Sequence, residues 1–240
     1  MICFEGALSV KAVLLAGKRE VSEIWVDKKK KDKDTSFIIH KAKEKNVPVV
    51  FKNREEIDAT ASGKTHGGIL AFAEARRLES LEECLKDENP FLAVIEGVED
   101  PFNLGYALRT LYAAGCSGVL LNARNWSHAE STIVKSSAGA SEWIKIVFPE
   151  DMQQALRQAK QAGCILYSAM RKDAVEYYDV NLNQPMILAI GGEMRGLSHA
   201  VLDETDQNIF VPYANDFRNA LNAASAIAAI SFEVVRQRRK

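Results

Sequence analysis

Apolar and polar positions along the chain fall into two cycles of helix-like and strand-like segments, separated by one charged stretch. In the first cycle residues 7–16 carry helical periodicity, and Ser22 to Asp27 reads as a short strand ending in a lysine-rich turn. Phe37 to Lys45 is expected as a helix, Val47 to Phe51 as a strand, Arg54 to Ala61 as a helix and Gly68 to Ala73 as a buried strand. Residues 76–90 are charged and close on Asn89-Pro90, a turn signal, so a boundary is expected there. Beyond it, strand-like runs recur at Phe91 to Val98, Gly118 to Leu121, Ile144 to Phe148, Cys164 to Ala169, Met186 to Ile190 and Asn208 to Val211. Helices are expected between most of them, as at 103–114 and 151–162. Strands that are nearly all apolar and alternate with helices imply a mainly parallel sheet covered on both faces. The expected organisation is a small α/β domain over 1–77, a linker over 78–90 and a larger α/β domain over 91–240.

Composition narrows the class. A chain of 240 residues with 47% hydrophobic content can bury a substantial core. It shows neither a charged-then-apolar leader nor an apolar run of the roughly 18 residues that span a bilayer, so a cytoplasmic protein without membrane association is expected. Cys3, Cys84, Cys116 and Cys164 lie far apart, with no C-x-x-C pair and no histidine at zinc-ligand spacing. Buried thiols are expected, and neither a disulfide framework nor a metal site. The net charge of −1 conceals an asymmetry: residues 1–77 hold 16 Lys and Arg against 11 Asp and Glu, whereas the remainder holds 15 against 21. A basic amino-terminal section suits contact with a polyanion such as RNA, although lysine runs also simply solvate a loop or helix face.

Three segments carry candidate chemistry. The loop Glu99-Asp100-Pro101-Phe102 is expected to deliver Asn103 to a helix N-cap, with Leu104, Leu108, Leu111 and Tyr112 as the buried stripe. Gly105 and Arg109, four apart, share another face, where the missing side chain leaves room for a ligand and the guanidinium suits a phosphate or a developing oxyanion. In the second segment, the apolar strand Met186 to Ile190 runs into Gly191-Gly192-Glu193, where glycines allow a tight turn and a close backbone approach to a ligand. Open parallel sheets bind ligands at such strand ends. The third segment is Val211-Pro212, a loop, and then Ala220-Leu221-Asn222 opening an alanine-rich helix suited either to an oligomer interface or to packing on its own sheet.

Together, Asn103 to Thr110, Gly191 to Ser198 and Val211-Pro212 with Ala220-Leu221-Asn222 resemble, in order and spacing, the three motifs of the SpoU/TrmH family of RNA ribose methyltransferases. The stretch Lys135-Ser-Ser-Ala-Gly-Ala-Ser-Glu also resembles a family segment, and residues 1 to about 75, including His66-Gly67-Gly68-Ile69, resemble the family's ribosomal-protein-like RNA-binding domain. The resemblance implies a parallel α/β domain with a trefoil knot, a homodimer, S-adenosylmethionine as methyl donor, and transfer to a ribose 2′-hydroxyl of ribosomal or transfer RNA. It places Gly191, Val211 and Leu221 in the donor pocket, with Gly192 and Gly196 of the same segment beside them. Asn103, Arg109, Glu193 and Asn222 match the family's active-site positions. Arg19, Lys28, His66 and Asn219 are the candidate RNA contacts. No metal is expected. An arginine stays protonated, so Arg109 suits charge stabilisation and not proton removal.

The third motif departs from the family pattern. Ser-Leu-Asn is usual, whereas counting back from Asn222 puts Ala220 at the serine position and counting forward from Pro212 puts Asn219 there. Either way the hydroxyl is absent, which leaves a second reading: an RNA-binding relative with little transferase activity.

Overall fold

A computed structural model describes residues 1–122, 128–192 and 195–239. In chain order the first elements are β1 (Ile2–Glu5), α1 (Ala7–Ala16), β2 (Val21–Asp27), α2 (Lys33–Glu44), β3 (Val49–Lys52), α3 (Arg54–Thr60) and β4 (Ile69–Ala73). There follow α4 (Leu81–Cys84), β5 (Phe91–Glu96), α5 (Pro101–Ala113), β6 (Gly118–Leu121), α6 (Glu130–Ser136), α7 (Ala140–Trp143) and β7 (Ile146–Val147). The last are α8 (Met152–Gln161), β8 (Ile165–Ala169), β9 (Ala174–Glu176), β10 (Met186–Gly191), α9 (His199–Leu202), β11 (Gln207–Phe210) and α10 (Ala223–Arg238). They form two compact units: Met1–Arg77 with Asn125–Trp143, and Leu78–Arg124 with Ile144–Lys240.

In the first unit a sheet of order β1-β4-β2-β3 is antiparallel except for the parallel pair β2–β3. Phe4, Val10, Val13, Ile24, Val26, Ile38 and Ile69 form its core, joined by Val134 of α6. The helix α2 begins four residues before the expected Phe37, because the Asp32 side chain accepts the Thr35 amide at 2.9 Å and caps it. The segment 128–143, which contains the family-like Lys135 to Glu142, packs within this unit. Its anchor is Arg19, which donates to Glu142 at 2.8 and 3.0 Å and to Glu130, with its guanidinium over the Phe4 ring.

The second unit holds a seven-stranded parallel sheet of order β7-β6-β5-β10-β8-β11-β9. Strands β5 and β10 lie at its centre and are buried along nearly their whole length, as continuous apolar runs in a covered parallel sheet must be. Residues 78–90, expected as a linker, contain α4, whose Leu81 and Cys84 are buried in the core with Leu92, Leu120 and Leu166. Gly118 lies against Cys84, where a side chain would collide with the sulfur. The final helix α10 packs against α5. Its basic carboxyl end is in part a structural lock: Arg238 donates to the carbonyls of Leu182, Asn89 and Gln184 at 3.2, 2.7 and 2.8 Å. Among the described residues no helix is long and apolar enough to cross a membrane.

Candidate active site

Glu96 and Gly191 are register partners at the carboxyl ends of β5 and β10, so the chain leaves both strands at the same level of the sheet. Gly97 then adopts a left-handed φ of 66° and packs against Gly192, where a side chain on Gly192 would run into the Gly97 carbonyl. The chain next closes on itself: the Gly196 amide donates to the Gly192 carbonyl at 2.9 Å, and a side chain on Gly191 would meet the Gly196–Leu197 backbone. Of the three glycines in G-G-E-M-R-G, Gly191 and Gly192 are therefore required by close backbone approach, and Gly196 by its left-handed φ of 63°.

This turn forms one wall of a cavity of about 240 Å³. Gly191, Gly192, Gly196, Val211 and Leu221, the five residues expected around the donor, all line it. Ala220, Ala223 and Ala226 keep the opposite wall slender, and Arg171 brings a positive charge to the lining. The Arg171 guanidinium stacks over Tyr213, 4.5 Å from the ring centroid. The Tyr213 hydroxyl accepts the Leu221 amide at 2.9 Å, so Leu221 offers the cavity its side chain and carbonyl, with its N–H already engaged. Backbone, small apolar side chains and one rim cation suit an adenosyl group bearing an amino-acid tail. Among the described residues there is no cluster of His, Cys, Asp and Glu that could hold a metal.

A second cavity, of about 380 Å³, shares Gly192 and Ala223 with the first and is lined also by Asn103, Glu99, Asp100 and Arg195. Asn103 thus lies beside the candidate donor cavity, but it is not the N-cap of α5. Asp100 is, its carboxylate accepting the amides of Phe102 and Asn103 at 3.3 and 3.1 Å, with Pro101 at the first helical position. Tyr112, expected in the buried stripe, is exposed, and Ala107 takes its place beside Leu104, Leu108 and Leu111. Gly105 is buried while Arg109 is exposed, so the two do not present one open face. Asn222 caps α10, its side chain accepting the Ser225 amide at 2.8 Å. Glu193 lies outside the described residues.

The candidate RNA contacts divide. Lys28 is exposed in the turn after β2, and Asn219 is exposed but lines neither cavity. Arg19 and His66 do not fit that role. The Arg19 side chain is only 2% exposed and is committed to Glu142 and Glu130. His66 is buried, its Nδ1 accepting the Gly68 amide at 3.1 Å while Nε2 lies 3.0 Å from Asp58. Position in a basic segment signalled charge, but not which side the folded chain would turn inward.

Several residues escaped sequence reasoning. Glu96, buried at the end of β5, accepts hydrogen bonds from Ser198 and Asn122. Its signal was a lone acid closing an all-apolar strand. Tyr213 and Arg171 carried no comparable signal, since their contact joins distant segments. The thiols are free, and burial pushes Cys84 and Cys164 up to about 11 and Cys116 to about 12; Cys3 reaches about 11 through burial and the neighbouring Glu5.

The fold and its cavities define a parallel α/β unit with a cavity sized for a small ligand at the carboxyl ends of its central strands, and a second unit built mainly from the basic amino-terminal residues. Residues 90–232 match the SpoU rRNA Methylase family, and residues 4–79 match the RNA 2′-O ribose methyltransferase substrate-binding family. The 23S rRNA (guanosine-2′-O-)-methyltransferase RlmB of Haemophilus influenzae is 30% identical over 238 residues, covering 97% of this chain and 96% of that protein. The protein of the same name from Shewanella oneidensis is 28% identical, covering 98% and 96%. Among solved structures, the SpoU methyltransferase AviRb from Streptomyces viridochromogenes, in complex with the cofactor AdoMet, superposes with a TM-score of 0.84 at 20% identity, covering 100% of this chain and 91% of that one. An AdoMet-bound rRNA methyltransferase from Sinorhizobium meliloti gives 0.80 at 23% identity, covering 98% and 86%. The chain belongs to the SpoU family of S-adenosylmethionine-dependent RNA ribose 2′-O-methyltransferases.

Proposed function

We propose that this enzyme methylates the ribose 2′-hydroxyl of a guanosine in 23S ribosomal RNA. The observation that carries this reading is the pair of adjoining cavities. One is walled by the Gly191–Gly196 turn, the other is lined by Asn103, and Gly192 and Ala223 form their common boundary. The near full-length likeness to two relatives named for that reaction supports the choice of RNA and nucleoside.

S-adenosylmethionine, when bound, supplies an electrophilic methyl group on a sulfonium sulfur. The chain's contribution is mainly placement: the glycine turn and Leu221 hold the donor, and the second cavity holds the acceptor nucleotide across Gly192, which favours in-line approach. Arg171 offers its charge to the donor's carboxylate. Asn103 and Arg109 serve the acceptor side, Arg109 by countering charge that develops on the 2′-oxygen, since a guanidinium cannot take the proton. Glu193 and Asn222 complete the proposed site, with Asn222 holding the start of α10 in place.

Residues 1–77 act as the RNA reader, supported by the substrate-binding family match and the exposed lysines after β2. The enzyme works as a homodimer, supported by exposed Phe102 and Tyr106 on α5 and Phe232 on α10, large apolar side chains on two packed helices. Ala223 and Ala226 line the donor cavity and so do not serve that interface. A knotted carboxyl-terminal segment and a cytoplasmic location belong to the same reading. Mapping ribose methylation in cells with and without the gene tests it: one 23S rRNA guanosine should lose its 2′-O-methyl mark, whereas a mark lost only from transfer RNA would redirect the substrate.

A further inference from the structure

Glu96 ends the apolar strand β5 and is 4% exposed. Its carboxylate accepts the Ser198 amide at 2.7 Å, the Ser198 hydroxyl at 3.0 Å and the Asn122 side-chain amide at 3.1 Å. All three partners are donors, and both carboxylate oxygens are used. A carboxylate taken out of water is tolerated only when its lone pairs are matched in this way. The bonds cross from β5 to Ser198, the residue that closes the Gly191–Leu197 turn and caps α9, and to Asn122 directly after β6.

We propose that Glu96 is a positioning residue for methyl-donor binding: it anchors the far end of the glycine turn and so fixes the wall of the cavity of about 240 Å³ that the turn bounds. The inference rests on reading that cavity as the donor site. The turn is tied to the sheet at two places. At one end the Gly97–Gly192 backbone contact fixes where it starts, and at the other Glu96 fixes where it stops. Between them lie Gly196 and Leu197, which line the cavity. Loss of the second tie frees the turn to shift while the sheet keeps its hydrogen bonds, so donor affinity should change more than folding. The geometry also accounts for an acid at this position. A glutamine keeps the shape but aims amide hydrogens at a donor, and an aspartate is one methylene too short.

Isothermal titration with S-adenosylmethionine, together with steady-state kinetics on the full chain, tests the assignment. Relative to wild type, Glu96→Gln is expected to raise the donor Kd and donor KM about tenfold, leaving kcat at saturating donor and the RNA KM within about twofold. Ser198→Ala, which removes the hydroxyl bond at an exposed residue but keeps the amide bond, should raise the donor Kd about threefold, and adding it to Glu96→Gln should change little further. A merely structural role would instead raise the RNA KM and lower kcat together. That pattern, or a wild-type donor Kd in either variant, overturns the proposal. Should Glu96→Gln fail to fold, Ser198→Ala alone decides. Failure of the wild-type protein to bind the donor would instead remove the reading of the cavity, and the inference with it.

Discussion

The backbones of Gly97 and Gly192 touch, joining the loops that leave the two central strands of the parallel sheet. No side chain fits at Gly192 without displacing the Gly97 carbonyl, and that displacement acts on the shared boundary of both cavities. Gly192→Ala is expected to cost about 1–3 kcal/mol of stability, as overpacking does, and to weaken S-adenosylmethionine by at least about tenfold. Calorimetric titration with a parallel melting curve checks both; normal affinity would mean that the loops part without harm.

Arg19 and Lys28 lie in the same basic segment but are expected to behave oppositely. Arg19→Met strands Glu142, itself buried, and should cost about 3–5 kcal/mol in denaturant unfolding. RNA affinity of the remaining folded protein should not change. Alanine at Lys28, Lys29 and Lys31, all exposed, should leave the melting temperature nearly unchanged while reducing RNA affinity and its salt dependence, because fewer counterions are released from phosphates. Electrophoretic or anisotropy titrations at several salt concentrations distinguish the two; RNA binding lost from Arg19→Met at full stability would restore that residue as a contact.

The thiols set an alkaline limit. Their folded values of about 11 to 12 exceed the ordinary 9.0, so the native state holds these protons more tightly than the unfolded chain does. Their contribution to stability is complete below about pH 9 and is lost as the pH rises towards 11. At pH 8 a thiol of pKa 11 is roughly one part in a thousand thiolate, so iodoacetamide should label the native protein slowly and the unfolded chain fast. Urea unfolding from pH 8 to 10.5 should show a decline that a Cys84→Ala, Cys116→Ala, Cys164→Ala variant largely lacks; equal declines would assign it to other groups.

Much of the architecture was legible because the central strands are short unbroken apolar runs alternating with helices: Phe91 to Ile95 and Met186 to Ile190 read as covered parallel strands. The short strands β1 and β9 were not, being three or four residues long with little pattern to read. The glycine turn was legible as a ligand loop, since the pair Gly191-Gly192 directly at the end of an apolar strand allows a tight turn and a close backbone approach. The helix start was misplaced onto Asn103 because Asp100 and Asn103 are both good caps, and Pro101 decides for Asp100 by fitting the first helical position. Glu96, Arg171 and Tyr213 act through partners far along the chain, for which local pattern has no counterpart.

The altered third motif yields a separate expectation. Ala220 lines the cavity proposed for the donor with Leu221, while Asn219 is exposed and does not line it, so counting back from Asn222 is the alignment that puts the serine position at that cavity. Asn219→Ala should leave donor affinity within about twofold, and Ala220→Ser should be tolerated, because a hydroxyl adds little volume to an open lining. Donor titrations check both, and a tenfold loss in Asn219→Ala would return that side chain to the site.

The most direct measurement uses the purified full-length enzyme, S-adenosylmethionine carrying a labelled methyl group, and 23S rRNA from cells lacking the gene. After digestion to nucleosides, mass spectrometry should find the label in 2′-O-methylguanosine, with Arg109→Ala reducing the yield far more than it weakens donor binding. Label on a base in place of ribose, or no transfer by a protein that binds both donor and RNA, would contradict the account.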